Sequence, residues 1–131
     1  MEDRLKVAVI IAAMNASATI SRAVISALAD RNVGEVIVVD DASSDDTAAA
    51  ARAADDGSGR LAVLVQSVNA GPAAARNRAI DASSSPLIAI LDADDFLLPG
   101  RFDAILDEDG WDFAADDILF VPADRALDPL P

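Results

Sequence analysis

Short apolar runs alternate with stretches of helical character along the chain. The runs are rich in Val, Ile and Leu and contain few polar residues, which is typical of strands buried on both faces of a sheet. Between them, apolar residues recur at helical spacing, as at Ile20, Val24 and Leu28. The predicted strands are residues 6–13, 35–39, 61–65 and 87–91.

Capping residues and prolines mark where the helices should begin. Ser17 and Ser44 have side chains that can cap a helix N-terminus. Pro72 and Pro99 fit a first helical turn, because proline has no N–H to leave unpaired and its φ is already helical. The predicted helices cover residues 17–29, 44–54, 72–82 and 99–106.

The regular alternation of strand and helix predicts the fold class. Short connections between such elements indicate an α/β fold, a mainly parallel sheet with helices on both faces. Residues 1–131 are expected to form one domain, with further strand pieces at Phe113 and residues 118–121. In open parallel sheets ligands bind beyond the carboxyl ends of the strands, so the loops after the strands are the candidate site.

The missing residue types narrow the chemistry. The chain has no His, Cys or Tyr. This excludes a Ser-His-Asp triad, a cysteine nucleophile, a zinc site built on His or Cys, and a disulfide within the chain. Any catalysis must use carboxylates, hydroxyls, Arg, Lys, backbone groups or a bound hard metal ion.

The charge is strongly acidic and unevenly placed. The formal net charge is −13, and twelve of the 23 acidic residues lie from Asp92 onward, with only two basic residues there. An acidic surface repels nucleic acid and anionic lipid, so no nucleic-acid partner is expected. No apolar run reaches the roughly 20 residues of a membrane helix. Residues 7–14 imitate a short signal peptide, but Glu2 and Asp3 weaken that reading, and we expect a cytoplasmic protein.

Three carboxylates follow the fourth predicted strand. Asp92, Asp94 and Asp95 would repel one another without a cation or a set of donors. Alternate residues at a strand end point to the same side, so Asp92 and Asp94 form an oxygen-rich half-site suited to Mg²⁺ or Mn²⁺. The alternative is a solvated acidic turn.

Other polar residues follow the remaining strands. One of Asp40 and Asp41 would accept hydrogen bonds from a base or ribose, and the other would brace its loop. Arg76 would neutralise phosphate or pair with an aspartate. Asn15 would bind the ligand or the loop backbone. Neither a G-x-G-x-x-G nor a P-loop motif is present, so dinucleotide binding of the Rossmann kind and NTP hydrolysis are disfavoured.

Two other uses of an acidic motif fit less well. A phosphatase with an aspartate nucleophile would carry its D-x-D on the first strand, whereas here it follows the fourth. An acidic-pocket receiver module would have a lysine after the motif, and none follows DADD.

Four segments together resemble family 2 glycosyltransferases, which are inverting enzymes of the GT-A fold. They are VAVIIAAMNASATISRAVISAL, EVIVVDDASSDDT, NAGPAAARNRAI and LIAILDADDFLLPGRF, in the order and spacing of that family. The segments DADDFLLPGRF and GWDFAADDILFV are most similar to exopolysaccharide glucosyltransferases of the succinoglycan type. The resemblance covers residues 6 to about 103.

The resemblance implies a site for a UDP-sugar, with glucose as the expected sugar. Asp41 would accept a hydrogen bond from uracil, Arg76 would lie near the diphosphate, and Asp94 would reach Mg²⁺ or Mn²⁺. Asp92 would contact the ribose or a metal-bound water. The implied nucleotide-sugar set is Ala13, Met14, Asn15, Asp41, Gly71, Arg76, Asp92 and Ala93, and the metal set is Asp94 and Asp92.

The sequence departs from the family pattern at two points. Met14 stands where members often carry an aromatic residue against the base. The family's catalytic domain also extends further, so we expect this chain to be a truncated donor-binding half. The acceptor site and the general base would then be absent, because Asp116, Asp117 and Asp124 come too early in the pattern.

Two interpretations therefore stay open. The chain is part of an enzyme acting on a saccharide or lipid-linked acceptor, at the inner membrane face if it is peripheral. Alternatively, it is a non-catalytic nucleotide-binding or interaction module. A parallel sheet cut midway has an open edge and an uncovered apolar face, which predicts a marginally stable fold or self-association through that edge.

Overall fold

The structure is a computed structural model that describes residues 6–107. Strands and helices alternate as the sequence predicts. They are β1 Val7–Ala13, α1 Ile20–Leu28, β2 Val33–Asp40, α2 Thr47–Ala53, β3 Leu61–Val65, α3 Pro72–Ala82, β4 Leu87–Ile90 and α4 Asp103–Leu106. The strand pieces expected at Phe113 and residues 118–121 lie outside the described residues.

The four strands form one parallel sheet in the order β3-β2-β1-β4. Ile10 of β1 lies beside Ile37 of β2 on one side and Ile90 of β4 on the other. The chain leaves β1 towards β2, and after β3 it crosses to the far side of β1. The loops after β1 and β4 therefore diverge at the point where ligands bind in such sheets.

Helices cover both faces of the sheet, which confirms the predicted fold class. Val9 and Ile11 point into a core shared with α1, α2 and Phe102. Ala8 and Ile10 point the opposite way, into a smaller core with Ala75 and Ala79 of α3. Because β1 is apolar on both faces, its side chains supply the centre of both cores.

The predicted caps of the first two helices are wrong. The helix α1 begins at Ile20, where the carbonyl of Ala16 accepts the N–H groups of Thr19 and Ile20. The helix α2 begins at Thr47, and the residue before it makes no side-chain cap. Ser17 and Ser44 instead make hydrogen bonds between the loops that follow β1 and β2. The backbone N–H of each serine donates to a side chain of the other loop.

The two proline predictions have different outcomes. Pro72 occupies the first turn of α3, as expected. Pro99 does not open a helix, because residues 99–102 form turns and α4 begins at Asp103. Within residues 6–107, no helix combines the length and the apolar character needed to cross a membrane.

The unequal burial of two neighbouring isoleucines gives a test of the fold. Ile10 is fully buried, whereas its ladder partner Ile90 is 52% exposed on the same face. We expect Ile10→Ala to lower the free energy of unfolding by about 2–5 kcal/mol, because it removes contacts and leaves a cavity. Ile90→Ala should cost less than about 1 kcal/mol. Urea unfolding followed by circular dichroism measures both, and equal losses would contradict the packing described.

Candidate active site at the carboxyl edge of the sheet

The loops after the strands meet at the carboxyl edge of the sheet and are tied to one another. The backbone N–H of Asn15 donates to Ser43 Oγ at 2.8 Å. Asn15 Oδ1 accepts the N–H and the hydroxyl of Ser44, at 2.8 and 3.2 Å. Asn15 has a φ of 51°, a conformation that asparagine tolerates better than most residues. Of the two roles predicted for Asn15, the structure shows the contact with loop backbone.

A second tie between these loops was missed by the sequence reasoning. Asp45 Oδ1 accepts both the N–H and the hydroxyl of Thr47, and Asp45 Oδ2 accepts the N–H of Ser17 at 3.2 Å. Thr47 Oγ1 in turn accepts the N–H of Ala16 at 2.8 Å. The hydroxyl of Thr47, followed by the side chain and the N–H of Ser17, lowers the pKa of Asp45 to about 2. The SSDDT segment was a possible signal, since such residues often bond nearby backbone.

The two aspartates that end β2 hold backbone amides. Asp41 is 3% exposed, and its two carboxylate oxygens accept the N–H groups of Ala70 and Gly71, each at 2.8 Å. Asp40 Oδ1 accepts the N–H of Ser43 at 3.1 Å. Both side chains therefore brace loops, where the sequence suggested that one would brace and the other would bind. Each carboxylate oxygen of Asp41 accepts one of these bonds and has a second lone pair for a further donor.

The loop after β3 approaches the loop after β1. Asn69 Nδ2 donates to the carbonyl of Asp41 and to Met14 Sδ, both at 3.3 Å. Met14 is 46% exposed. Ala13, at the end of β1, is buried, and its carbonyl accepts the N–H of Asp41 at 2.9 Å. Asn69 was not among the predicted site residues, although its place before the Gly-Pro turn was visible.

The first turn of α3 connects these loops with the acidic turn. Gly71 has a φ of 94°, which a side chain rarely adopts, and Pro72 follows it directly. Arg76 then lies one turn along α3, where its guanidinium is 3.5 Å from Asp92 Oδ1. The pair is largely exposed, so it contributes little stability by itself. The pair does place the positively charged guanidinium of Arg76 between the acidic turn and the loop held by Asp41.

The acidic turn after β4 brings three carboxylates together. One oxygen each from Asp92, Asp94 and Asp95 lies within 4.8 Å of the others, and all three residues are exposed. The N–H of Asp95 closes the turn on the carbonyl of Asp92 at 3.0 Å. Ala93 points inward and packs against the larger core. Burial, and then the charges of Asp94 and Asp92, raise the pKa of Asp95.

The two groups of aspartates after strands differ in how their oxygens are used. Asp40, Asp41 and Asp45 accept backbone N–H groups. Within residues 6–107, the carboxylates of Asp92, Asp94 and Asp95 accept no backbone N–H, and the contact seen is that of Arg76 with Asp92. One oxygen of each lies within 4.8 Å of the others, and all three residues are exposed. Oxygen ligands of this kind suit the hard cations Mg²⁺ and Mn²⁺, so the residues fit the predicted metal.

The site is an open edge and not an enclosed pocket. A cavity of about 450 Å³ lies at the other end of the sheet, between the amino ends of β2 and β3, lined by Glu35, Arg60 and Ser85 among others. Glu35 is occupied there by hydrogen bonds from Ser84 and Ser85. The predicted residues instead gather at the carboxyl edge, where this part of the chain does not exclude water.

The hydrogen bonds of Asp45 predict a pH dependence of stability. Its pKa falls from 3.8 to about 2 in the folded chain, so the ionised form stabilises the fold above pH 4. That contribution is lost as the pH falls towards 2. Asp45→Asn should therefore be less stable than wild type at pH 6, with the difference shrinking between pH 4 and pH 2. Thermal unfolding at several pH values measures it.

The neighbouring residue provides the control for that experiment. Asp46, the residue before α2, makes no side-chain cap bond, and Asp46→Asn changes the charge by the same amount. Its stability difference from wild type should not shrink over the same interval. A difference between Asp45→Asn and wild type that stays constant from pH 6 to pH 2 would contradict the assignment.

Comparison with known sequences agrees with this geometry. Residues 8–123 match the family described as Glycosyl transferase family 2. The chain is 59% identical over 120 residues to the succinoglycan biosynthesis protein ExoU of Rhizobium meliloti (strain 1021), a match covering 92% of this chain and 35% of that protein. It is 41% identical over 119 residues to ExoO of the same organism, covering 88% of this chain and 34% of ExoO. The chain thus spans about a third of the length of these relatives.

Solved structures show the same fold. The S. aureus TarS fragment 1-349 superposes with a TM-score of 0.68 and 27% identity, over 76% of this chain and 31% of that one. The mannosyltransferase PcManGT from Pyrobaculum calidifontis, in complex with GDP-Man and Mn²⁺, gives a TM-score of 0.65 and 28% identity, over 76% and 30%. With the family match over most of its length, the chain belongs to glycosyl transferase family 2, and its parallel sheet is that of the GT-A fold.

Proposed function

We propose that this chain is the donor-binding part of a glycosyltransferase that acts in bacterial exopolysaccharide biosynthesis. The donor is a UDP-sugar, with UDP-glucose first, and the acceptor is a saccharide or a lipid-linked saccharide. Transfer inverts the anomeric centre, as in the family that the sequence resembles. The observation that carries the proposal is the convergence of three carboxylates with unused lone pairs at the switch point of the sheet.

Each end of the donor has a set of residues suited to it. The nucleoside end lies on the loops held by Asp41 and Asn15, where Met14 and Gly71 form the surface and Ala13 is the buried residue that ends β1. Met14 presents a polarisable thioether to the base, and the lone pairs left on Asp41 suit the uracil N–H.

The diphosphate end lies on the acidic turn and α3. Asp94 and Asp92 hold a divalent cation, with Ala93 between them, and Arg76 lies where it can contact phosphate oxygens. When bound, the cation supplies positive charge beside the diphosphate leaving group. Arg76 adds a further positive charge there when its guanidinium leaves Asp92 and binds a phosphate oxygen of the donor.

The general base is not among the residues assigned here and is expected in the acceptor-binding part of the family's domain. Membership of the family and similarity to ExoU and ExoO support the proposed pathway. The solved neighbours support a nucleotide-sugar donor with a divalent metal. One TarS structure contains UDP-GlcNAc, and PcManGT contains GDP-Man and Mn²⁺. A place in the cytoplasm, peripheral to the inner membrane face, fits a lipid-linked acceptor and stays a prediction.

Calorimetric titration of UDP tests the donor site. We expect wild type to bind UDP in Mn²⁺ and to lose binding in EDTA. Asp94→Asn keeps the side-chain shape but removes the charge, so it should weaken metal-dependent binding at least tenfold. Asp81→Asn, an exposed position on α3 with the same charge change, should stay within about twofold.

A parallel titration with GDP tests which nucleobase the site prefers. Weaker binding of GDP than of UDP is expected if Asp41 reads uracil. A folded chain that binds neither nucleotide would overturn the proposal, and equal binding by Asp94→Asn and wild type would overturn the role of Asp94.

The exposed edge of the sheet supports the prediction of self-association. Within the described residues, β4 pairs with β1 alone, and Ile88 and Ile90 beside that edge are 40% and 52% exposed. A second copy pairing there would cover them. Light scattering should show a mass that rises with concentration, and Ile90→Lys should abolish the rise. A monomer at all concentrations would contradict this prediction.

A further inference from the structure

A second arginine contacts the acidic turn, from the opposite side to Arg76. Arg22 lies on α1, and its Nη2 donates to the backbone carbonyl of Asp94 at 3.4 Å. Its guanidinium also lies over the ring of Phe96, 4.9 Å from the ring centre. Arg22 therefore contacts the residues on either side of Asp95, and its hydrogen bond to the turn is to a backbone carbonyl and not to a carboxylate.

The helix that carries Arg22 is firmly anchored. Ile20, Ala23 and Val24 are fully buried against the sheet, so the start of the Arg22 side chain is fixed. Arg22 Nε is itself buried and has no hydrogen-bond partner among residues 6–107. An unpaired buried donor destabilises the folded chain. The contacts at the far end of the side chain have to offset that cost.

The two arginines differ in the atoms they touch. Arg76 pairs with Asp92 Oδ1, an oxygen that a cation would use. Arg22 bonds a main-chain oxygen of the turn. A cation and Arg76 thus compete for the same carboxylate, whereas a cation and Arg22 do not.

We propose that Arg22 is a positioning residue for the cation site, which holds the backbone of the acidic turn so that its carboxylates converge before a cation binds. The inference rests on the proposed function of that turn. Three adjacent negative charges favour an open turn, and among the described residues one backbone hydrogen bond, Asp95 to Asp92, closes it. Arg22 adds a hydrogen bond and an aromatic contact from a rigid helix, which reduces the ordering that cation binding would otherwise require.

Amide exchange in the metal-free chain tests the positioning directly. Arg22→Met keeps the length of the stem and removes the guanidinium, so exchange of the Asp95 N–H measured by NMR should become about twofold to tenfold faster. The N–H of Leu91, bonded to Ile10 in the sheet, should exchange as in wild type. Arg52→Met, on the exposed surface of α2, is the matched control and should leave Asp95 unchanged.

Calorimetry with Mn²⁺ alone tests the consequence for binding. Arg22→Met should raise the Kd for Mn²⁺ by about twofold to tenfold, although it removes a nearby positive charge. Arg76→Met removes a competitor for Asp92 and should lower the Kd. Arg22→Lys keeps the charge without the planar group, so it should restore less than half of the loss. Phe96→Leu removes the ring that the Arg22 guanidinium covers, so it should raise the Kd by part of the Arg22→Met effect. It serves as the second variant if Arg22→Met folds poorly.

The outcomes separate this inference from the proposed function. Wild type that binds no Mn²⁺ would overturn the cation site, while the exchange of Asp95 would still test Arg22. Wild type that binds Mn²⁺, with Arg22→Met equal or tighter, would overturn the positioning role. Full restoration by Arg22→Lys would also overturn it, because the planar guanidinium would then not be needed.

Discussion

Strand β1 is the element on which the rest of the structure depends. It pairs on both sides and is apolar on both faces, so β2, β4 and the helices of both layers are positioned against it. Burial of a large aliphatic side chain contributes roughly 1.5–3 kcal/mol, and Val9, Ile10 and Ile11 are all fully buried. Burial of β1 fixes where the loop after it begins, so a few hydrogen bonds are enough to hold that loop in place.

Carboxylates accept many of the hydrogen bonds that hold the loops of the site together. In this acidic chain the aspartates beyond β2 accept backbone N–H groups of the loops after β1, β2 and β3. Such bonds to charged acceptors are stronger than neutral ones and orient loops that lack regular structure. The acidic turn after β4 is built in another way. Its own carboxylates are left to converge, and the surrounding support comes from one backbone bond and two arginines. Aspartates are therefore structural at the end of β2 and available for a ligand after β4.

The difference between the aspartates after β2 and those after β4 also relates to the proposed function. In the proposed function, the described residues provide a surface for a nucleoside, an arginine and an oxygen-rich turn, all at the carboxyl edge of the sheet. The chain spans about a third of the length of its relatives. In the proposed function its role is donor recognition, which binding measurements test without turnover as the readout.

The sequence by itself determined the order of elements, the parallel sheet and the position of the acidic turn. Apolar runs such as residues 61–65 and the Gly71-Pro72 turn are local signals, and local signals survive folding. It did not determine which side chains would cap helices or brace loops. The N–H groups of Ser17 and Ser44 donate to the side chains of Asp45 and Asn15, and Asp41 accepts the N–H of Gly71. These partners are 28 to 30 residues apart in the chain, and only the tertiary structure brings them within reach. The roles of Asn69 and Arg22 depend likewise on contacts 28 to 72 residues away in the chain. The tertiary structure decided these roles because hydrogen-bond partners are chosen by distance in space, which a pattern of residue types does not contain.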